Sequence, residues 1–391
     1  MIVQKREMLL QLVPNTPDWK IDWEGIENSN ISLFIEKMKQ TMQNPAWHGE
    51  GDVWTHTKMA CEELVQNFEF RNMERRKQQE LFLAMLLHDI GKIPCTKWED
   101  EKWTSPNHTS VGSKMAREFL WKECGFCGTK ELQNFRETVC NLIRYHSVPM
   151  HILEQKNPEW RLQKIMANGE LAEDFSMEML GILVESDVKG RIVATKEESL
   201  ELLQLCIEMA KEAKCYQYQK LFPDSFSEYA YLSGRNIQVG QQLYNDTWGE
   251  VILLSGLPGT GKDTWIRENC SELPMISLDE IRKEMKILPT DNQGAVVQEA
   301  RERAKEYLRK QIPFVWNATN LTPQIRQKQC SLFEDYHASV KIVFLETDWE
   351  EQMKRNCGRK AVVPEKVIRE MLKNLVLPER FEAQEVKWHC V

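Results

Sequence analysis

The chain has 391 residues, 42% hydrophobic and 28% charged, enough for two domains that each bury a core. Its net charge of −8 lies wholly before Glu250, because acidic and basic residues balance at 22 each from there onward. That distribution excludes a bulk polyanion binder, and no apolar run approaches the length that spans a membrane, so no membrane partner is expected. Of eleven cysteines, Cys124 and Cys127 come closest to a metal pattern but have no partner pair of suitable spacing, and no signal-peptide pattern precedes them. They read as free thiols in a cytoplasmic protein.

Residues 1–45, with Trp19 and Trp23, carry no site-like cluster and read as helical packing material. Residues 50–210 show 3.6-residue apolar spacing with breaks at Gly and Pro, the pattern of an all-α bundle. Within them lie His56 in DVWTHT, the His88–Asp89 pair in LLHDIGK, His108 in NHTSVG, His146 in LIRYHSVP and Asp187 in ESDVKGR. Between Ser233 and Trp248 the chain turns polar and rich in Gly, Asn and Gln, the composition of a boundary. The expected domains are 1–240 and 249–391. From Val251 the pattern changes: VILLS reads as a buried strand, GLPGTGKDTW as a glycine-rich loop opening a helix. SLDEIRKEM and a long charged helix near 294–311 follow, then strands in IPFVWNATN and SVKIVFLET, with helical segments to the end. Alternating strand and helix predicts an α/β domain with a parallel sheet.

In the helical half, His56, His88, Asp89 and Asp187 form a two-imidazole, two-carboxylate set that suits a divalent first-row metal (Mn, Ni, Co, Zn or similar) or magnesium. Adjacent helical residues point about 100° apart, so other helices must complete the shell around His88 and Asp89. Asp89 can bridge to a second ion held by His108 and His146, and two ions roughly 3.5–4 Å apart polarise a phosphoryl group and activate water. Lys92 can neutralise a phosphate oxygen, or serve a helix end, where a cation is favoured in any case. His48 and His151 read as surface or satisfied core histidines.

In the second half, Gly256, Gly259, Thr260 and Gly261 would close backbone N–H groups around the phosphates of ATP or another NTP, with Lys262 reaching the β/γ oxygens. Asp263 stands where Ser or Thr usually ligates Mg²⁺, and Thr264 follows it. Asp279 and Arg282 lie three apart, on one face of a helical turn: a carboxylate to take a proton and a guanidinium to grip an acceptor phosphate. Arg355, Arg359 and Lys360 precede Pro364 in a glycine-containing stretch that reads as a mobile lid.

The H…HD…D arrangement resembles the HD phosphohydrolase superfamily, and the WHGEGDVWTHT and HDIGK segments resemble the HD domain of bacterial transfer-RNA nucleotidyltransferases. The resemblance implies that His56, His88, Asp89 and Asp187 form one metal site, that His108 and His146 serve two-metal members, and that phosphoesters are hydrolysed, often at a ribose 2′ or 3′ position. The loop, the DxxR turn and the RNxxxR stretch resemble polynucleotide 5′-kinases. That resemblance implies Lys262 on the donor phosphates, Asp279 as general base toward a 5′-hydroxyl, Arg282 on the acceptor phosphate, and Arg355 and Arg359 on the donor. ATNLTPQIR matches a kinase segment whose leading acidic residue is replaced here by Ala318. Together the halves resemble bacterial bifunctional polynucleotide kinase–phosphatases. This implies RNA or DNA ends as substrates and a nucleic-acid ligase as a partner in repair. The alternatives are an HD nucleotidase fused to a small-molecule kinase, favoured by the neutral second half, and a regulatory protein without chemistry. A nucleotidyltransferase fragment is rejected, since about forty-five residues precede the HD segment, too few for a polymerase palm.

Overall fold

In the computed structural model, residues 2–288, 291–359 and 361–391 are described. Lys360 of the expected lid lies outside them. The chain divides into two compact units, residues 2–127 with 131–219, and 128–130 with 220–391. The division therefore comes before the polar stretch at 233–248 that composition singled out. The helix Ser225–Leu232 belongs to the second unit, where Tyr229 Oη donates to Glu334 Oε1 at 2.6 Å and Arg380 pairs with Glu228 at 2.5 Å. No helix among the described residues is long and apolar enough to cross a membrane, and all eleven cysteines are free.

The first unit is helical, apart from a small antiparallel hairpin at 97–104 that the apolar spacing did not reveal. Three short helices, Ile2–Gln11, Trp23–Glu27 and Ser32–Gln40, precede the bundle, as the opening segment predicts. Four helices position the site: α1 (Val53–Gln66), α2 (Arg75–Leu87), α3 (His108–Glu118) and α4 (Lys130–Tyr145). A fifth, α5 (Met177–Lys189), closes it. The run Leu81–Leu87 of α2 is fully buried on every face, which makes it the central helix of the bundle. Asp52 caps α1: Oδ1 accepts from Thr55 N at 2.9 Å and Oδ2 from Thr55 Oγ1 at 2.7 Å. The capped first turn carries His56.

The second unit is built on a five-stranded, wholly parallel sheet. Its strands are β1 (Glu250–Ser255), β2 (Met275–Ser277), β3 (Val315–Asn317), β4 (Ser339–Glu346) and β5 (Glu385–Cys390), in spatial order β2-β3-β1-β4-β5. Two strands depart from the sequence reading. Met275–Ser277 is too short to announce itself, and EVKWHC, expected within helical segments, pairs with β4 as the last edge. β1 is central, its neighbours β3 and β4 lie on opposite sides, and the loop after β1 opens at the topological switch point where parallel sheets bind ligands. Helices α6 (Lys262–Asn269), α7 (Leu278–Glu284), α8 (Gly294–Arg309), α9 (Pro323–Glu334), α10 (Trp349–Cys357) and α11 (Glu365–Asn374) complete the unit.

Candidate metal centre and candidate nucleotide site

α2 ends at Leu87, so His88 caps the helix and Asp89 lies in the turn beyond it. The two are therefore not neighbours on a helix face, and the divergence expected of helical neighbours does not apply: His88 Nε2 and Asp89 Oδ2 approach to 3.2 Å. Gly91 makes the next step possible. A Cβ there would lie 2.0 Å from the carbonyl of His108, so only glycine lets this turn press against the start of α3 and set His108 beside Asp89.

All six expected ligands converge. His56 Nε2 lies 2.9 Å from Asp187 Oδ1, 3.3 Å from His88 Nε2 and 3.7 Å from Asp89 Oδ2. Asp89 Oδ1 faces the other way, 3.5 Å from His108 Nε2 and 3.9 Å from His146 Nε2. Asp89 thus bridges two groups, His56–His88–Asp187 and Asp89–His108–His146, each able to hold a cation. With metal–ligand bonds of about 2.1 Å, adjacent ligand atoms stand about 3 Å apart, close to the spacings of the first group.

The far side of each ring fixes its tautomer. Nδ1 donates to a backbone carbonyl in His88 (Met85 O, 2.7 Å), His108 (Ser105 O, 2.9 Å) and His146 (Ile143 O, 2.8 Å). A carbonyl only accepts, so each Nδ1 keeps its proton and each neutral ring offers Nε2 as a lone pair. His56 Nδ1 faces the Glu50 carboxylate, 2.8 Å from Oε1. Burial, with His88 and His108 alongside, pushes His146 down to about 3, and burial also lowers His108. His88 goes the other way: burial opposes its charge, but Asp89 and Asp187 raise it. Burial would raise Asp89 and Asp187, yet His88 and Lys92 hold the first, and Arg191 and His56 the second, well below the usual carboxylate range. Asp89 Oδ1 is buried and accepts no hydrogen bond. This donor set fits divalent metal.

Lys92 is buried, with Nζ 2.7 Å from Asp89 Oδ2 and donating to Gln43 Oε1 at 2.6 Å. Its ammonium is thus inside the centre rather than at a helix end. His48 is a satisfied, buried histidine, as the default reading has it, between Glu50 and Lys92, and His151 is exposed beside Glu154. Sequence reasoning missed Glu50 and Arg191. Arg191 pairs with both oxygens of Asp187 four residues earlier, and that i,i+4 spacing was the available signal.

In the second unit the loop after β1 takes the backbone shape its glycines allow: φ is +148° at Gly256, +84° at Gly259 and +89° at Gly261. A Cβ on Gly256 would meet Leu345 O at 2.6 Å. Thr260 is buried, with Oγ1 donating to Leu257 O at 2.9 Å. Lys262 Nζ curls back to donate to Gly256 O and Leu257 O, both at 2.9 Å. Burial pushes that ammonium down to about 8, with Arg359 assisting and Asp263 opposing. Thr264 Oγ1 accepts from Arg267 at 3.0 Å.

Asp279 occupies the first turn of α7, capped by Ser277. Arg282 Nη1 lies 2.5 Å from its Oδ1 and Arg359 Nη2 3.4 Å from its Oδ2. Burial works against its charge, but Arg282 and then Arg359 lower its pKa. Arg355 is on α10, tied to Glu351 at 2.9 Å, and its Nη1 comes 3.3 Å from where a Cβ of Gly261 would stand. Two residues outside the expected set brace the loop and the lid. Gln352 Nε2 donates to Pro258 O at 2.9 Å, and Asn356 exchanges bonds with Val363 (Nδ2 to O, 2.8 Å; N to Oδ1, 3.1 Å) to close the turn carrying Arg359. The TN segment also serves the loop strand: Asn320 Nδ2 donates to Leu254 O at 2.7 Å.

Residues 52–174 match the HD domain family and residues 251–378 an AAA domain family. The chain carries an HD domain followed by a P-loop, kinase-like domain. Five of the six converging ligands fall inside the first match, Asp187 beyond it, and every candidate residue of the nucleotide site falls inside the second. No curated protein matches the chain in sequence.

Proposed function

We propose that this protein heals nucleic-acid ends: it phosphorylates 5′-hydroxyl ends of RNA or DNA with an NTP donor and removes 2′,3′-cyclic, 2′ or 3′ terminal phosphates. The observation that carries the kinase half is Asp279 held between Arg282 and Arg359 next to the Lys262 loop. An ionised carboxylate there is a base for a hydroxyl. Arg282 beside it suits an acceptor whose own phosphate neighbours that hydroxyl, as in a polynucleotide. When such a phosphate takes Arg282, the carboxylate loses the partner that lowers its basicity most and becomes the better base. Lys262, Arg355 and Arg359 neutralise the donor as the hydroxyl attacks in line.

In the HD half, His56, His88, Asp89 and Asp187 would hold one cation, and Asp89, His108 and His146 a second. Divalent metal held there would supply polarisation of the phosphoryl group and activation of water. Lys92 steadies Asp89 and can exchange it for a substrate oxygen. The products, a 5′-phosphate and a free 3′-hydroxyl, are the ends a ligase joins, which makes a ligase the partner downstream.

The test supplies an oligonucleotide with a 5′-hydroxyl and a 3′-phosphate or 2′,3′-cyclic end, a γ-labelled NTP and divalent metal, beside a mononucleoside acceptor. The proposal expects label on the oligonucleotide 5′ end and loss of the terminal phosphate. Equal labelling of the mononucleoside would instead favour the small-molecule kinase, the reading that the balanced charge of residues 250–391 supports.

A further inference from the structure

P-loop enzymes commonly hold the magnesium beside the triphosphate with a hydroxyl directly after the loop lysine and an aspartate on a neighbouring strand. Here the residue after Lys262 is an aspartate, and the structure supplies its counterpart. β3 runs parallel beside β1 and ends at Asn317. The Asn317 side chain is buried, and its Nδ2 donates to Asp263 Oδ1 at 2.7 Å. The strand residue that contacts the loop aspartate is therefore Asn317, and not Ala318 one residue on, which aligns with the acidic residue of the kinase segment. Hydroxyl and carboxylate have become carboxylate and amide: the negative charge has moved from the strand onto the first turn of α6. Thr264 does not restore the hydroxyl from the next position, since its Oγ1 is turned along the helix to Arg267.

The replacement keeps a polar pair across the same gap. A carboxylate only accepts hydrogen bonds, so the Asn317 amide must present its NH₂ to it, and that fixes the rotation of Asp263. Helix dipole alone would favour an aspartate in this turn. Dipole does not call for a buried amide to orient it, and an exposed carboxylate beside the loop repels a triphosphate unless a cation stands between them. Magnesium is commonly held by one or two carboxylates together with substrate phosphates, which matches what Asp263 offers.

We propose that the kinase-like domain holds its divalent cation through the carboxylate of Asp263, with Asn317 as the positioning residue, and that this pair couples nucleotide binding to the cation. The proposal rests on the reading of the loop as an NTP site. Asp263 would be the protein's charge toward the ion and Asn317 would act only through Asp263.

The experiment is binding of a non-hydrolysable ATP analogue to the full chain by calorimetry, with excess chelator and with saturating Mg²⁺. The proteins are the parent, Asp263→Ser, Asn317→Asp and the double substitution, each checked for an unchanged melting profile. In the parent, Mg²⁺ should tighten binding by on the order of 100-fold, as expected for a paired charge. Asp263→Ser should shrink that ratio at least about tenfold, tightening metal-free binding and weakening Mg²⁺ binding. Asn317→Asp should weaken metal-free binding further, because two carboxylates then face each other and the phosphates. The double substitution rebuilds the ordinary hydroxyl–carboxylate pair and should return the ratio to within roughly threefold of the parent, since the coupled sites compensate. An unchanged ratio in Asp263→Ser, or a double substitution no closer to the parent than either single one, overturns the proposal. A parent that binds no analogue under either condition overturns the nucleotide reading itself, a different result.

Discussion

Nε2 of His56 and Nε2 of His88 lie 3.3 Å apart in a fully buried setting, with Asp187 Oδ1 2.9 Å from the first. Two lone pairs face one another there unless a positive charge stands between them. A divalent cation between them would satisfy both nitrogens and the carboxylate at once. Bound metal at about a thousandfold over its dissociation constant should stabilise the first unit by roughly 4 kcal/mol. That corresponds to a rise in its melting temperature of roughly 10 °C for a unit of this size. Calorimetric melts of protein reloaded with Mn²⁺, against chelated protein, measure it. Asp89→Ala, which removes the carboxylate common to both groups, should abolish the rise, and a rise that survives in Asp89→Ala would place the metal elsewhere.

Glu50 reaches the metal centre only through histidine. Its Oε1 lies 2.8 Å from Nδ1 of both His48 and His56, and its Oε2 accepts from Ile192 N at 2.9 Å. A carboxylate behind a ligating imidazole holds its tautomer and raises its basicity, and removing such a partner costs about 10–100-fold in metal affinity. Glu50→Gln should therefore weaken Mn²⁺ binding by that factor, while chelated protein melts within a degree or two of the parent. Equal affinity in both proteins would reduce Glu50 to packing.

The two sites were legible to different depths. The triphosphate loop is local: six glycine-rich residues after an apolar strand carry their own geometry, and Lys262 falls into register without help from the rest of the chain. The HD ligands were legible as residue types, but their joint position depends on Gly91 meeting α3, a contact between segments that spacing does not encode. Glu50 and Arg191 stand inside segments already marked, but their roles depend on contacts with His56 and Asp187 that only the folded chain makes. The edge strand Glu385–Cys390 alternates charged and apolar residues over too short a run to outweigh the helices before it. The unit division at 219–220 falls ahead of the polar composition shift because Ser225–Leu232 is itself apolar and helical, like the bundle it follows.

Lys262 gives the nucleotide site a pH signature. Burial lowers its pKa from an ordinary 10.5 to about 8, so the nucleotide-free protein loses this proton well before an unfolded chain would. The charged form is disfavoured in the empty fold. The penalty is fully present below pH 8 and released as pH rises from there toward 10.5. A bound triphosphate reverses the preference by favouring the ammonium. Affinity for an ATP analogue should thus be flat below about pH 7 and fall above pH 8, by up to about tenfold per unit, with proton uptake on binding. Lys262→Arg cannot titrate in this range and should show no such fall. A parent profile as flat as the arginine variant's would remove Lys262 from the phosphates.

The two centres should act independently of each other, and one assay tests this. An oligonucleotide bearing a 5′-hydroxyl and a 2′,3′-cyclic or 3′-phosphate end is incubated with γ-labelled ATP, Mg²⁺ and Mn²⁺. The proteins compared are the parent, Lys262→Ala and Asp89→Ala. The account predicts that Lys262→Ala lowers 5′ labelling by at least about a hundredfold and spares the terminal-phosphate reaction, and that Asp89→Ala does the reverse. Loss of both reactions from either substitution, or survival of both, would contradict it.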